Sequence, residues 1–210
     1  MAKHKEEKTN VVRILEAAGI PCTAYEVPLE KGQVPDGVTA ARLIGKPPEQ
    51  VFKTLVAEGP KGEHFVFVIP VAETLDLKKA ARAAGVKSIA MLPQKKLLPL
   101  TGYVHGGCSP VGMSKHFPTY FAEEVILVDT MICSAGKVGH QVEVAPDALI
   151  ALVDGQVADL TVFDLNEIYT VDPETFLTMG RATPFTGTQL TGACKLTMIG
   201  GEIVWKEDTL

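Results

Sequence analysis

The sequence predicts an α+β protein, a mixed, barrel-like sheet with helices packed around it, followed by a short β-rich C-terminal extension. Three observations predict it. Many short β-rich runs are interrupted by helices at irregular intervals, unlike the regular alternation of a doubly wound parallel sheet. Two of these runs, Val51 to Glu58 and His64 to Val71, flank Gly59-Pro60-Lys61-Gly62-Glu63, which makes a hairpin the economical reading. Finally, the charge changes abruptly near Asp154-Gly155. Residues 1–153 carry 17 Lys and Arg against 16 Asp and Glu, whereas residues 154–210 carry 3 against 9. The net charge of −5 therefore belongs to the tail. Two domains are expected, 1–153 and 154–210.

Thr9-Asn10 precedes Val11, Val12, Ile14, Leu15 and Ala18, a 3.6-period stripe that stops at Gly19 and Pro21. This spacing predicts a capped amphipathic helix. Pro21 to Val27 reads as a strand. Val38-Thr39 begins a second helix closed by Gly45, and Pro47 to Gln50 is a turn. After the hairpin, Asp76 caps a helix through Ala84 that ends at Gly85. Ser88 to Leu92 is a short strand and Pro93 to Leu100 a short helix. Thr101-Gly102-Tyr103 leads into a glycine-rich loop, Gly106 to Gly112. Strands are expected at Thr119–Ala122, Val125–Asp129 and Gln141–Val144, and a helix from Pro146 to near Val153.

With 210 residues, 46% of them hydrophobic and 21% charged, the chain can bury a sizeable core, which excludes disorder and coiled coil. Its longest apolar stretch, Phe65 to Ala72, is broken by Pro70 and is too short to cross a membrane. The first ten residues are charged from Lys3 onward and lack the apolar core of a secretory signal, so a cytoplasmic location is expected. The cysteines at 22, 108, 133 and 194 form no CxxC pair, and the five histidines show no metal-ligand spacing. Neither a metal nor another cofactor is expected, and the cysteines read as small apolar side chains. Because residues 1–153 are nearly neutral, the acidic total does not argue against a nucleic-acid partner.

Two features carry chemistry. In a strand, Lys53 shares one face with Val51 and Leu55, while Phe52, Thr54 and Val56 take the other, so its ammonium has no obvious solvent side. A desolvated lysine needs an anion nearby and so tends to mark a site. The alternative is an edge-strand lysine that snorkels to water. In the loop Gly106-Gly107-Cys108-Ser109-Pro110-Val111-Gly112, glycines allow backbone N–H groups to converge on an anion or a carbonyl oxygen. A plain connecting turn is the alternative there.

Six stretches taken in order carry a resemblance across most of residues 1–153. They are Tyr25-Glu26, Val51-Phe52-Lys53-Thr54-Leu55, Pro70 to Lys79, Thr101-Gly102-Tyr103, the loop from Gly106 to Pro110 with Val111-Gly112, and Ser134 to Gly139. In them the sequence resembles the YbaK-type family, free-standing relatives of the editing domain of bacterial prolyl-tRNA synthetases. The resemblance implies a barrel-like sheet and hydrolysis of the ester of mischarged tRNA(Pro), most typically Cys-tRNA(Pro), with alanine-specific relatives as the close variant. It implies that Lys53 holds the terminal adenosine or phosphate region. It implies further that the loop, through Gly106, Gly107 and Pro110, holds the aminoacyl moiety and stabilises a developing oxyanion. Tyr25, Thr54, Cys108, Ser109, Ser134 and Gln141 fall on substrate-binding positions. Gln141 stands where some family deacylases have an aspartate, so it can replace a hydrogen bond but not a charge.

No protein nucleophile is required under this reading, because the ester is already activated and a cysteinyl substrate can attack its own carbonyl. Cys108 is taken as pocket lining, although His105 is close in sequence. The implied partners are the acceptor end of tRNA(Pro) and prolyl-tRNA synthetase, with neither DNA nor membrane. Lys78, Lys79, Arg82, Lys87, Lys95 and Lys96 form either a phosphate-binding patch or an ordinary solvated face.

The tail reads Ala158-Asp159-Leu160-Thr161-Val162-Phe163-Asp164, then Gly180-Arg181-Ala182-Thr183-Pro184-Phe185-Thr186-Gly187, and then Leu196 to Trp205 with a turn at Gly200-Gly201. It is similar to the C-terminal end of dihydroorotase-type amidohydrolases, which suggests a gene fusion. The metal-binding barrel of those enzymes has no counterpart here. The tail strands are expected to pack on the first domain or on a second copy, or to remain partly disordered. Two other functions stand beside editing. One is a non-catalytic module binding aminoacyl-tRNA or a synthetase, and the other is a partner subunit recruited to pyrimidine-biosynthesis enzymes through the tail.

Overall fold

The computed structural model describes residues 8–29, 34–157, 160–176, 180–199 and 202–207. The chain divides into two compact units, Met1–Ala158 and Asp159–Leu210. In the first, helix α1 (Asn10–Ala17) is capped by Thr9, whose hydroxyl accepts from the Val12 N–H at 3.3 Å. Val11, Val12 and Leu15 are its buried stripe, and Gly19 leaves the helix at φ +71°. Strand β1 (Cys22–Glu26) follows.

Helix α2 (Gly37–Leu43) starts just ahead of the expected Val38-Thr39 because Asp36 is the cap, its carboxylate accepting from the Thr39 N–H at 2.9 Å. A Cβ at Gly37 would stand 2.4 Å from Val71 Cγ1, so glycine lets the start of α2 rest on Val71. A 3-10 turn, Pro48–Gln50, leads into the hairpin of β2 (Phe52–Glu58) and β3 (His64–Pro70). Its antiparallel register runs from Phe52 opposite Pro70 to Glu58 opposite His64. Helix α3 (Leu77–Ala83) is capped by Asp76, which accepts from the N–H groups of Lys78 and Lys79.

Strand β4 (Ala90–Met91) is shorter than expected and α4 (Gln94–Thr101) matches its expected span closely. Then come β5 (Thr119–Phe121), β6 (Met131–Ser134), β7 (His140–Val144), α5 (Pro146–Leu152) and β8 (Gln156–Val157). Five strands form a mixed sheet in the order β4-β2-β3-β5-β8, with β5 parallel to β3 and to β8. Strands β1-β7-β6 form an antiparallel sheet, and a parallel bridge between Val51 and Ile132 links it to the first. This is the expected α+β arrangement.

Three elements differ from the sequence expectation. Val125–Asp129 is no strand, since Glu123–Leu127 is a 3-10 turn in which the Val125 N–H bonds the Ala122 carbonyl. Only Val125 anchors it, whereas Leu127 is 71% exposed. Strand β6 gives no period-2 signal because Met131, Ile132 and Cys133 are all fully buried. Strand β8, two residues long, has no periodicity to read, and its pairing with β5 carries the first unit past the composition break.

The core has two centres near the hairpin. Ala57, Phe65, Phe67 and Ile69 pack against Ala80 and Ala81 of α3, with Leu55 alongside. Ala41 of α2 packs with Val51, Val71 and Ile132, which sets α2 over the start of β2 and over β6. The second unit is a three-stranded antiparallel sheet of β9 (Leu160–Thr170), β10 (Gln189–Ile199) and β11 (Glu202–Lys206), with β10 in the middle. These strands thus find partners in one another. Lys195 pairs with the carboxylates of Glu167 and Glu207. The expected Gly200-Gly201 turn and Ala158-Asp159 lie outside the described residues.

Candidate active site

A cleft of about 680 Å³ opens along β2. Its walls come from Val51 to Val56, the Val34–Gly37 segment before α2, the loop at Gly106 and Cys108, the strand positions Ser134 and Gln141, and one flank of α4.

Lys53 is half-buried in this wall. Its Nζ donates to the Val71 carbonyl at 3.0 Å, which anchors the side chain at the end of β3 rather than sending it to water. An ammonium has three protons, so two are left for a ligand. No carboxylate pairs with it among the described residues. The neighbouring Thr54 Oγ1 is buried and has no hydrogen-bond partner. An orphaned hydroxyl costs free energy unless a ligand or water meets it.

The loop divides into residues that face the cleft and residues that build the loop. Gly106, at φ +78°, and Cys108 line the cleft. Gly107 does not. Its N–H is committed to the Val104 carbonyl at 3.0 Å, and a Cβ there would meet Val138 N at 3.0 Å and Lys137 C at 3.2 Å. Gly107 is therefore the point where two backbones touch. Pro110 has no N–H to offer and is buried outside the lining, as is Ser109, whose Oγ accepts from the Val111 N–H at 3.3 Å. Of the loop's backbone N–H groups without a partner among the described residues, those of Gly106 and Cys108 belong to residues that line the cleft. Burial pushes the Cys108 thiol up to about 12, which keeps it protonated and makes it a poor nucleophile near neutral pH.

Thr54, Cys108, Ser134 and Gln141 all line the cleft, and the Ser134 Oγ accepts from the Gly136 N–H at 3.2 Å. Tyr25 is not part of the lining. It sits across from Gln141 on β1 and donates its hydroxyl to Glu143. Sequence reasoning missed Asp36, Met91 and Gln94 as cleft residues, and it assigned no cleft position to His105. Asp36 was readable as a cap from its spacing to Thr39, whose N–H and hydroxyl hold the carboxylate below its ordinary range. Glu143 was readable from the alternation of β7, where Val142 and Val144 are buried and Gln141 and Glu143 share the other face. Among the described residues no group of three or more His, Cys, Asp or Glu is placed to hold a metal.

The arrangement offers a cation and two backbone donors to a ligand that is anionic or develops negative charge on oxygen. Comparison with known proteins bears on which ligand. The aminoacyl-tRNA editing domain family matches residues 32–152. EbsC of Enterococcus faecalis, designated a Cys-tRNA(Pro)/Cys-tRNA(Cys) deacylase, is 44% identical over 162 residues, which are 77% of this chain and 98% of that protein. A crystal structure described as a trans-editing enzyme for prolyl-tRNA synthetase matches with a TM-score of 0.63 and 27% identity, covering 72% of this chain and 97% of the other. Dihydroorotase of Bacillus cytotoxicus is 41% identical over 58 residues, 28% of this chain and only 14% of that enzyme.

Proposed function

The chain belongs to the aminoacyl-tRNA editing domain family, and from that premise we propose that it hydrolyses the ester of mischarged tRNA(Pro), with Cys-tRNA(Pro) as the first substrate. The activity is assigned to the first unit, which the sequence bounds at residue 153 and strand β8 carries on to Val157. The observation that supports this best is the β2 wall, where the half-buried Lys53 lines the cleft with one proton given to the Val71 carbonyl and two uncommitted. Lys53 suits the phosphate or ribose end of the acceptor terminus. Under this reading the N–H groups of Gly106 and Cys108 donate to the ester oxygen as it gains charge, a contribution that grows in the transition state. Ser134 and Gln141 meet the aminoacyl end. The protonated Cys108 shapes the cavity, and attack falls to water or to the substrate's own thiol.

The partners under this reading are the acceptor end of tRNA(Pro) and prolyl-tRNA synthetase, in the cytoplasm. No helix among the described residues is long and apolar enough to cross a membrane.

The test is deacylation of Cys-, Ala- and Pro-tRNA(Pro) by the full chain and by Lys53→Ala. Accelerated loss of a mischarged ester, reduced at least about a hundredfold in the variant, is expected from removing a charged contact made in the transition state. Decay of all three esters at the buffer rate, with retained binding of the charged tRNA, would instead support a non-catalytic binding module.

A further inference from the structure

We propose that Glu143 is a positioning residue for the polar edge of the cleft, acting through Tyr25; the inference rests on the editing function above. Gln141 on β7 is the register partner of Tyr25 on β1 and of Ser134 on β6. Residues directly opposite across strands share a face with Cβ atoms about 5 Å apart, so these three side chains form one row. Gln141 and Ser134 reach the cleft, and Tyr25 stands next in line behind Gln141.

Glu143 lies two residues along β7 and therefore on the same face. It accepts the Tyr25 hydroxyl, accepts Thr130 Oγ1 at 2.6 Å, and pairs with Lys46 Nζ at 2.9 Å. Lys46 Nζ also lies 5.3 Å from the centre of the Tyr25 ring. The pair is mostly buried, with side-chain exposures of 27% for Lys46 and 14% for Glu143. Four segments thus converge on one carboxylate: β1, the residues after α2, the residues before β6, and β7 itself.

This arrangement has two consequences for the cleft. The only proton of the Tyr25 hydroxyl is committed to Glu143, so toward any other group the oxygen can only accept. The ring is held at both its hydroxyl and its face, which makes it a fixed wall for the Gln141 side chain. The group this row presents to the cleft is therefore the Gln141 amide, steadied from behind by the Tyr25 ring. Without Glu143 the ring and the glutamine amide regain rotamers that would have to be frozen again in the transition state.

The experiment is a double-mutant cycle on kcat/KM for Cys-tRNA(Pro), using the full chain at a temperature well below melting, with Tyr25→Phe, Glu143→Ala and the double variant. Each single change is expected to lower kcat/KM about tenfold, the loss of one hydrogen-bond contribution in the transition state. The double variant is expected to fall no further than the worse single. Glu143→Gln, which can still accept from Tyr25, is expected to recover part of the loss. A purely structural role would lower the melting temperature without this coupling. Should Glu143→Ala fail to fold, Tyr25→Phe and Lys46→Met form the same cycle. An active wild type whose variants keep full kcat/KM, or whose losses multiply, overturns the proposal alone. An inactive wild type overturns the editing function and the proposal with it.

Discussion

Tyr103→Phe removes a single oxygen atom from a side chain that is 7% exposed. That hydroxyl donates to the Val111 carbonyl at 2.5 Å, closing the loop that carries Gly106 and Cys108. The ring is also packed from two sides. A Cβ at Gly136 would come within 2.9 Å of Tyr103 Cε1, and one at Gly112 within 3.1 Å of its Oη. Phenylalanine keeps those contacts and leaves the Val111 carbonyl without its donor, which costs about 1–3 kcal/mol. In a unit of this size that lowers the melting temperature by about 2–12 °C. The same residue has a pH signature. Burial raises the Tyr103 hydroxyl from its ordinary value to about 12. Above the ordinary value the unfolded chain releases this proton and the folded chain keeps it, so the group draws stability away as pH rises from about 10 to about 12. Thermal unfolding followed by circular dichroism at neutral pH and near pH 11 checks both. The variant should melt lower at neutral pH, and the gap should narrow under alkali. A neutral-pH shift below about 1 °C together with an unchanged alkaline loss would refute the reasoning, since the carbonyl would then not depend on Tyr103.

Gly37→Ala should destabilise the protein by about 1–3 kcal/mol despite alanine's better helix propensity, because the new methyl overlaps the buried Val71 side chain. Chemical denaturation measures this, and lower deacylation should accompany it because the Val71 carbonyl anchors Lys53. Thiol labelling of the native protein at mildly alkaline pH, read by mass spectrometry, should modify Cys108 and Cys133 far more slowly than the partly exposed Cys22. Burial pushes the two buried thiols up to about 12, and denaturant should abolish the difference.

Much of the fold was legible because it follows local rules. Thr9 and Asp76 cap the helices that the sequence places after them, and the break between Val51–Glu58 and His64–Val71 is the β2-β3 hairpin. The suspicion attached to Lys53 came from alternation alone, and the structure places it half-buried on the cleft wall between apolar faces. Legibility failed where period and length carry no information. Strand β6 is buried on both faces, and the Val125 segment has strand-like composition but a turn's hydrogen bond.

By itself the sequence determined the helix caps, the hairpin, the glycine loop and the family, because each is written in residues a few positions apart or in an ordered set of motifs. The tertiary structure decided which loop residues face the cleft. Gly107 is consumed by backbone contact with Lys137 and Val138, while Gly106 and Cys108 line the cleft. It also decided that Asp36 borders the cleft and that Tyr25 meets Glu143, 118 positions away. The reason is physical. Capping and strand periodicity act within a turn or two of the chain, whereas the neighbours of a side chain across a sheet depend on strand register and on how closely two backbones can approach.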